Sequence, residues 1–186
     1  MPMTDDILHV TDRAGWRAWL DEHAGTAREV WLVIPRAAQG GIRHGEAVEE
    51  ALCLGWIDSL TRRHDENSRR QRFSPRNPRS AWSAINREAV ERLTAEGRMA
   101  PAGLAAVELA RRTGTWGLLT DAQAGIVPDD LRAALDAVPE AAGHFAAFPA
   151  SARRAALEAV ARAKRPETRR RHVERIVERA ARGERP

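Results

Sequence analysis

Tyrosine is absent from the 186 residues, and cysteine and lysine each occur once. The lone Cys53 excludes an internal disulfide framework and a cysteine-based zinc site. No apolar run approaches the ~18 residues that a membrane-spanning helix needs. Glycine-rich phosphate loops of the Walker or Rossmann type are missing. The six histidines (His9, His23, His44, His64, His144 and His172) include no HxxxH or HxH pair, so neither a metal nor a cofactor is implied. Residues 1–6 carry no basic segment and no apolar run, so no secretory signal is expected, and a cytoplasmic location is the expectation.

What is present is a chain with 43% hydrophobic and 30% charged residues. That length and composition suit one domain, or a domain with a helical appendage, able to bury a core. Thirty basic residues, all but Lys164 arginine, face 26 acidic ones for a net charge of +4. The sequence pI is nevertheless about 10.6, because arginine does not deprotonate near neutrality and a small surplus drags the value upward. The pI alone therefore overstates a nucleic-acid footprint, and an alanine- and arginine-heavy composition equally fits a GC-rich coding bias.

Trp16, Trp19, Leu20 and His23 fall at i, i+3, i+4 and i+7, which predicts an amphipathic helix capped by Thr11 or Asp12 and stopped at Gly25. Residues 29–35 are short, β-branched and aromatic and end in proline, as a buried strand does. A turn at Gln39, Gly40 and Gly41 leads into a helix over 45–54 that puts Val48, Ala51 and Leu52 on one face, with Gly55 as its C-cap. Residues 56–62 and 69–74, joined by the turn residues 65–68, predict a hairpin. Beyond Ser80 only helices are expected. One is capped by Ser80, carries Trp82, Ile85, Ala89 and Leu93 and ends at Gly97. Another starts at Pro101, carries Leu104, Val107 and Ala110 and ends at Gly114. A connection over 116–127 follows, then helical stretches from Pro128, Pro139, Pro149 and Pro166. The class is α+β: a small, antiparallel-rich sheet of about three strands packed by helices over 1–118, then a helical region over 119–186 packing on it.

Chemistry concentrates between Trp56 and Asn86. Alternation puts Trp56, Asp58 and Leu60 on one strand face, so Asp58 needs a partner there. Arg72, Arg76 and Arg79 are the nearest guanidinium forks. The segment from Phe73 to Ser83 holds two prolines, two arginines and several serines ahead of a helix start, where free N–H groups and a positive dipole end favour a phosphate or carboxylate. Trp82 can wall such a site as a stacking or cation–π partner. The competing reading is a capped helix with a core Trp82, solvated arginines and a structural ion pair on Asp58. Cys53, between two leucines, reads as a small core hydrophobe.

Residues 153–186 hold 12 basic and five acidic residues, a candidate electrostatic patch for nucleic acid. Glu167, Glu174 and Glu178 are spaced for i,i+4 pairs with Arg170, Arg171 and Arg175, which favours a solvated, salt-laced helix instead.

Residues 51–58 (ALCLGWID), Phe73-Ser74-Pro75-Arg76, and Arg79-Ser80-Ala81-Trp82-Ser83 with Asn86 resemble the YdeI/OmpD-associated, or bacteriocin-protection, family. Gly97-Arg98-Met99, Pro101-Ala102-Gly103, Gly114-Thr115-Trp116, Ala163-Lys164-Arg165 and Glu167-Thr168-Arg169 are similar too. The resemblance runs over roughly residues 10–182. Ala100 departs from it, standing where the family often has threonine or serine. It implies a bacterial stress or bacteriocin-protection role and no particular reaction or cofactor.

Three functions follow as expectations. The first is a pocket for an anionic small molecule, built from Arg76, Arg79 and Ser80, with Asp58 and Asn86 beside them and Trp56 and Trp82 as walls. The second is an enzyme using that pocket with Asp58 as acid or base. The third is nucleic-acid binding through the C-terminal arginines, which requires affinity that falls steeply with salt.

Overall fold

The computed structural model describes residues 7–36 and 40–186. Residues 1–6 and Gln39, named above for the missing signal and the turn, lie outside the described residues. The chain divides into two compact units. One comprises the described residues of Met1–Ser80 with Ile85–Thr115, and the other comprises Ala81–Ala84 with Trp116–Pro186.

The first unit is α+β. Its order is β1 (Ile7–Leu8), α1 (Arg13–His23), β2 (Val30–Pro35), α2 (His44–Cys53), β3 (Trp56–Arg63), β4 (Ser68–Pro75), α3 (Ala84–Ala95, all but its first residue) and α4 (Pro101–Arg112). The sheet order is β1-β2-β4-β3. β4 is central and antiparallel to both neighbours, while β1 runs parallel to β2. The sheet thus has four strands rather than about three, and it is mixed. β1 escapes sequence reading because two residues carry no alternation.

Asp12 caps α1, accepting from Gly15 N at 2.8 Å. The apolar spacing of α1 sends Trp16 and Leu20 into a core shared with Val30, Leu32 and Ile34 of β2, Ala47 and Ala51 of α2, Trp56 and Phe73. Gly55 turns the chain from α2 into β3 at φ +77°, a conformation that L side chains rarely adopt. α2 and α4 approach closely there: a Cβ on Gly103 would lie 2.2 Å from the Cys53 carbonyl oxygen.

Polar bonds hold α2 on its other flank. Glu50 is 4% exposed and accepts from Arg13 and Arg17 of α1 and from Arg98 beyond α3. Its neighbour Glu49 pairs with Arg13 and with Arg92 of α3. A carboxylate at that depth is tolerable only when charge and lone pairs are both met.

The expectation for α3 needs correction. Arg79 N donates to the Asn77 side-chain oxygen (2.8 Å) and Ser80 N to the Asn77 carbonyl (2.9 Å), so the segment first closes a turn on Asn77. The helix begins at Ala84, after Trp82, and buries Val90 and Leu93 while Ile85 is exposed. Ser80 caps nothing.

The second unit holds α5 (Thr120–Gln123), α6 (Asp129–Asp136), α7 (Pro139–Ala147), α8 (Ala150–Arg162) and α9 (Pro166–Ala181). Prolines stand just before or at the first residue of the last four, where a missing N–H costs nothing. Their apolar faces meet in a core around Leu131, Phe145, Leu157, Val160 and Ile176. Arg169 of α9 holds Asp130 of α6 through two bonds of 2.6 and 2.9 Å, and Arg175 bonds His172. The i,i+4 pairs expected of Glu167, Glu174 and Glu178 do not form among the described residues. Exposed arginines gain little from such pairs, and α9 takes its strongest ion pair from another helix instead.

Four outcomes test this architecture. Gly103→Ala gains up to about 1 kcal/mol of helix propensity but forces a methyl into a backbone carbonyl. A net loss of about 2 kcal/mol or more is expected in urea unfolding. Glu50→Gln leaves three guanidinia around a neutral amide, and its loss is expected near 2–3 kcal/mol, because each arginine still reaches some water. Glu96→Gln, which takes the charge from exposed pairs with Arg92 and Arg98, should leave the urea midpoint nearly unchanged. Burial, reinforced by the charge of Glu50, pushes the Cys53 thiol up to about 11. Ellman's reagent at pH 8 should therefore leave the folded protein unlabelled and titrate one thiol in guanidinium chloride.

Candidate functional site

The residues singled out between Trp56 and Asn86 are spread over both units, with Trp82 in the second. Trp56 is 1% exposed and donates its Nε1–H to the Ala24 carbonyl at 3.2 Å. Its neighbour Trp19 meets it edge-on at 6.0 Å, so Trp56 is a core side chain. Arg72 pairs with Glu29 rather than Asp58. That bond holds Glu29 below the usual carboxylate range.

The charge of Asp58 also acts on Arg76. Burial pushes the Arg76 guanidinium down to about 10, and the charge of Asp58 opposes that shift. Arg76 therefore remains a cation at neutral pH. Arg79 and Ser80 lie exposed in the Asn77 turn, and Asn86 is half-buried on α3. Trp82 belongs to the second unit, where it is buried and tilted against Trp116 at 5.0 Å.

A bulge decides what Asp58 faces. The β3–β4 register shifts between Asp58 and Thr61, which pair with Phe73 and Gln71 of β4. Simple alternation fails there, and Leu60, expected beside Asp58, is exposed. Asp58 and Thr61 instead flank Gln71, a core-face amide only 2% exposed. The Thr61 hydroxyl donates to Gln71 Oε1, and Gln71 Nε2 donates to Asp58 Oδ2 at 3.4 Å. The opposite amide orientation would set two oxygens against each other, so the network itself orients the amide.

The same Asp58 oxygen accepts from His44 Nε2 at 3.0 Å. His44 is the first residue of α2. The chain reaches it from β2 through Gly40 and Gly41, at φ +72° and +86°, and Arg43 N donates to Glu46 of the first helical turn. An ionised carboxylate only accepts, so the proton sits on Nε2 when the imidazole is neutral, and Nδ1 carries the lone pair.

His44 lines the site that sequence reading missed. A surface cavity of about 720 Å³ lies where the end of β2, the β3–β4 hairpin and the start of α2 meet. Its wall includes Arg36, Arg43, Arg63 and Arg69 beside His44, with Ile34 and Pro35 as an apolar side. Asp65 is the one carboxylate of that lining among the described residues. The Asn67 amide donates to Asp65 Oδ1 at 2.7 Å, and the polar groups of the turn at Asn67 and Ser68 hold Asp65 below its ordinary range, so it stays ionised. No stretch of sequence groups these arginines. Arg63 and Arg69 are cross-strand partners, while Arg36 and Arg43 arrive from either side of the β2–α2 connection. Only the register of Arg63 with Arg69, legible from the hairpin, offered a hint.

Other candidate features are sparse. Among the described residues, no group of three or more His, Cys, Asp or Glu could hold a metal ion, and no helix is long and apolar enough to cross a membrane.

Comparison with known proteins adds two family matches. Residues 8–106, more than half of the chain, match the domain of unknown function DUF8412. Residues 124–183 match the family described as bacteriocin-protection, YdeI or OmpD-associated. No curated protein and no solved structure matches the chain. The hairpin motifs and the arginine-lined cavity fall in the first stretch, whereas Ala163-Lys164-Arg165 and Glu167-Thr168-Arg169 fall in the second. The chain therefore belongs to the DUF8412 family through its sheet-bearing part, while residues 124–183 are similar to the family described as bacteriocin-protection, YdeI or OmpD-associated.

Proposed function

We propose that this protein binds a small, multiply charged anion in the cavity at the start of α2. In a bacterial cell, such binding would serve stress or bacteriocin protection. The reading divides the chain into an α+β binding domain over 1–118 and a helical region over 119–186. The observation that carries it is four guanidinium groups and an imidazole around one cavity, against a single lining carboxylate among the described residues, one of whose oxygens already accepts from the Asn67 amide. Arginine forks match carboxylate and phosphate geometry and stay charged at any physiological pH. The start of α2 at His44 places the positive end of a helix dipole beside the cavity. Arg76 and Arg79, expected at this task from the sequence, stand outside the cavity lining.

Pyrophosphate is a suitable probe. At ten times its dissociation constant, a ligand bound only by the folded state adds about 1.4 kcal/mol, which raises Tm by roughly 3–6 °C for a chain of this size. Wild type and Arg79→Ala should both show that shift, and the double variant Arg43→Ala/Arg69→Ala should lose it. An unshifted wild type, or an equal shift in the double variant, overturns the proposal.

A further inference from the structure

The His44–Asp58 pair is more than an anion cradle requires. A fifth cation could be supplied by any basic side chain, yet here an imidazole is held by a carboxylate that is itself held by a buried amide. Gln71 is 2% exposed and bonds to both Thr61 and Asp58. A buried amide costs free energy unless it is hydrogen-bonded, and this one takes up Thr61 and Asp58 on opposite sides. Asp58 Oδ2 in turn accepts His44 Nε2–H at 3.0 Å. The imidazole is thereby set in one orientation and one tautomer. Its Nδ1, with no partner among the described residues, is the group left to exchange a proton. His44 also lines the arginine cavity.

We infer that this cavity hydrolyses phosphate monoesters, with His44 as the catalytic proton carrier and Asp58 as its positioning residue. The inference rests on the anion-binding reading. The guanidinia of Arg36, Arg43, Arg63 and Arg69 bind the phosphoryl oxygens and stabilise the charge that develops there. A water oxygen forms a bond to phosphorus while one of the water's protons passes to His44 Nδ1. The phosphorus–oxygen bond to the alcohol breaks, and its electron pair stays with the leaving oxygen. That oxygen takes the proton back from the imidazolium. Water and ester are consumed, alcohol and inorganic phosphate are released, and His44 ends neutral. Ile34 and Pro35 give the cavity an apolar wall, which suits an alcohol part that is aromatic or otherwise apolar. In this arrangement Asp58 never meets substrate. It keeps Nδ1 as the lone-pair nitrogen and stabilises the transient imidazolium.

The test uses p-nitrophenyl phosphate with the full chain in EDTA, which removes contaminating metal-dependent phosphatases. Wild type should turn it over above the buffer rate. His44→Gln should lose about 10²-fold or more in kcat, the scale of a general base, while inorganic phosphate still raises its Tm. Asp58→Asn should lose at least about tenfold in kcat with KM within twofold, and Asp58→Glu should recover part of it. A merely structural carboxylate would not produce that split. If wild type binds inorganic phosphate but does not hydrolyse the ester, or if His44→Gln keeps its turnover, the hydrolytic inference is overturned and anion binding stands. If inorganic phosphate does not bind, the hydrolytic inference falls, and if pyrophosphate does not bind either, both fall.

Discussion

Glu50 sits in the middle of α2 with its carboxylate shielded from water, and three guanidinia from outside α2 converge on it. Arg13 and Arg17 bring α1, while Arg98 brings the chain that leaves α3. A buried charge of this kind contributes little net stability compared with an apolar core, because desolvation offsets much of the attraction. Its importance lies in what it forbids. Any other rotation of α2 would strand either the carboxylate or its arginines, so the helix has one permitted setting about its own axis.

That setting propagates to both ends of α2. At the C-terminal end, the Cys53 carbonyl accepts from Ala100 N at 3.0 Å and leaves no room for a side chain at position 103. Gly55 then swings the chain directly into β3. At the N-terminal end, His44 comes within reach of Asp58, fourteen residues later on the neighbouring strand. Packing of the helix and geometry of the site are therefore one problem. The Glu50 cluster lies outside the cavity lining, yet through α2 it determines where His44 points.

Two uses of arginine stand out. Arg13, Arg17, Arg72, Arg92, Arg98 and Arg169 are bound to carboxylates and act as cross-links between elements. Arg36, Arg43, Arg63 and Arg69 are exposed around a concave surface with one acidic neighbour. A pI near 10.6 cannot distinguish these two uses. The difference is local, between a charge satisfied by a partner and a charge presented to solvent.

Much of the architecture was determined by the sequence alone. The spacing of Trp16, Trp19 and Leu20, the β-branched run of β2, the hairpin and the prolines at the starts of α6 to α9 each act over a few residues. Local pattern therefore suffices to read them. So does the status of Cys53 as a core hydrophobe. Tertiary structure decided the rest. The Asn77 turn displaced the start of α3 beyond Ser80 because a side-chain hydrogen bond outcompeted helix nucleation. The bulge after Asp58 exposed Leu60 and turned Asp58 toward Gln71 and His44, since one extra residue inverts the alternation on which the sequence reading relied. The cavity arginines come from the two ends of the β2–α2 connection and from both hairpin strands. Charges so far apart along the chain share a site only through strand register and helix placement, and neither is written in any single stretch of residues.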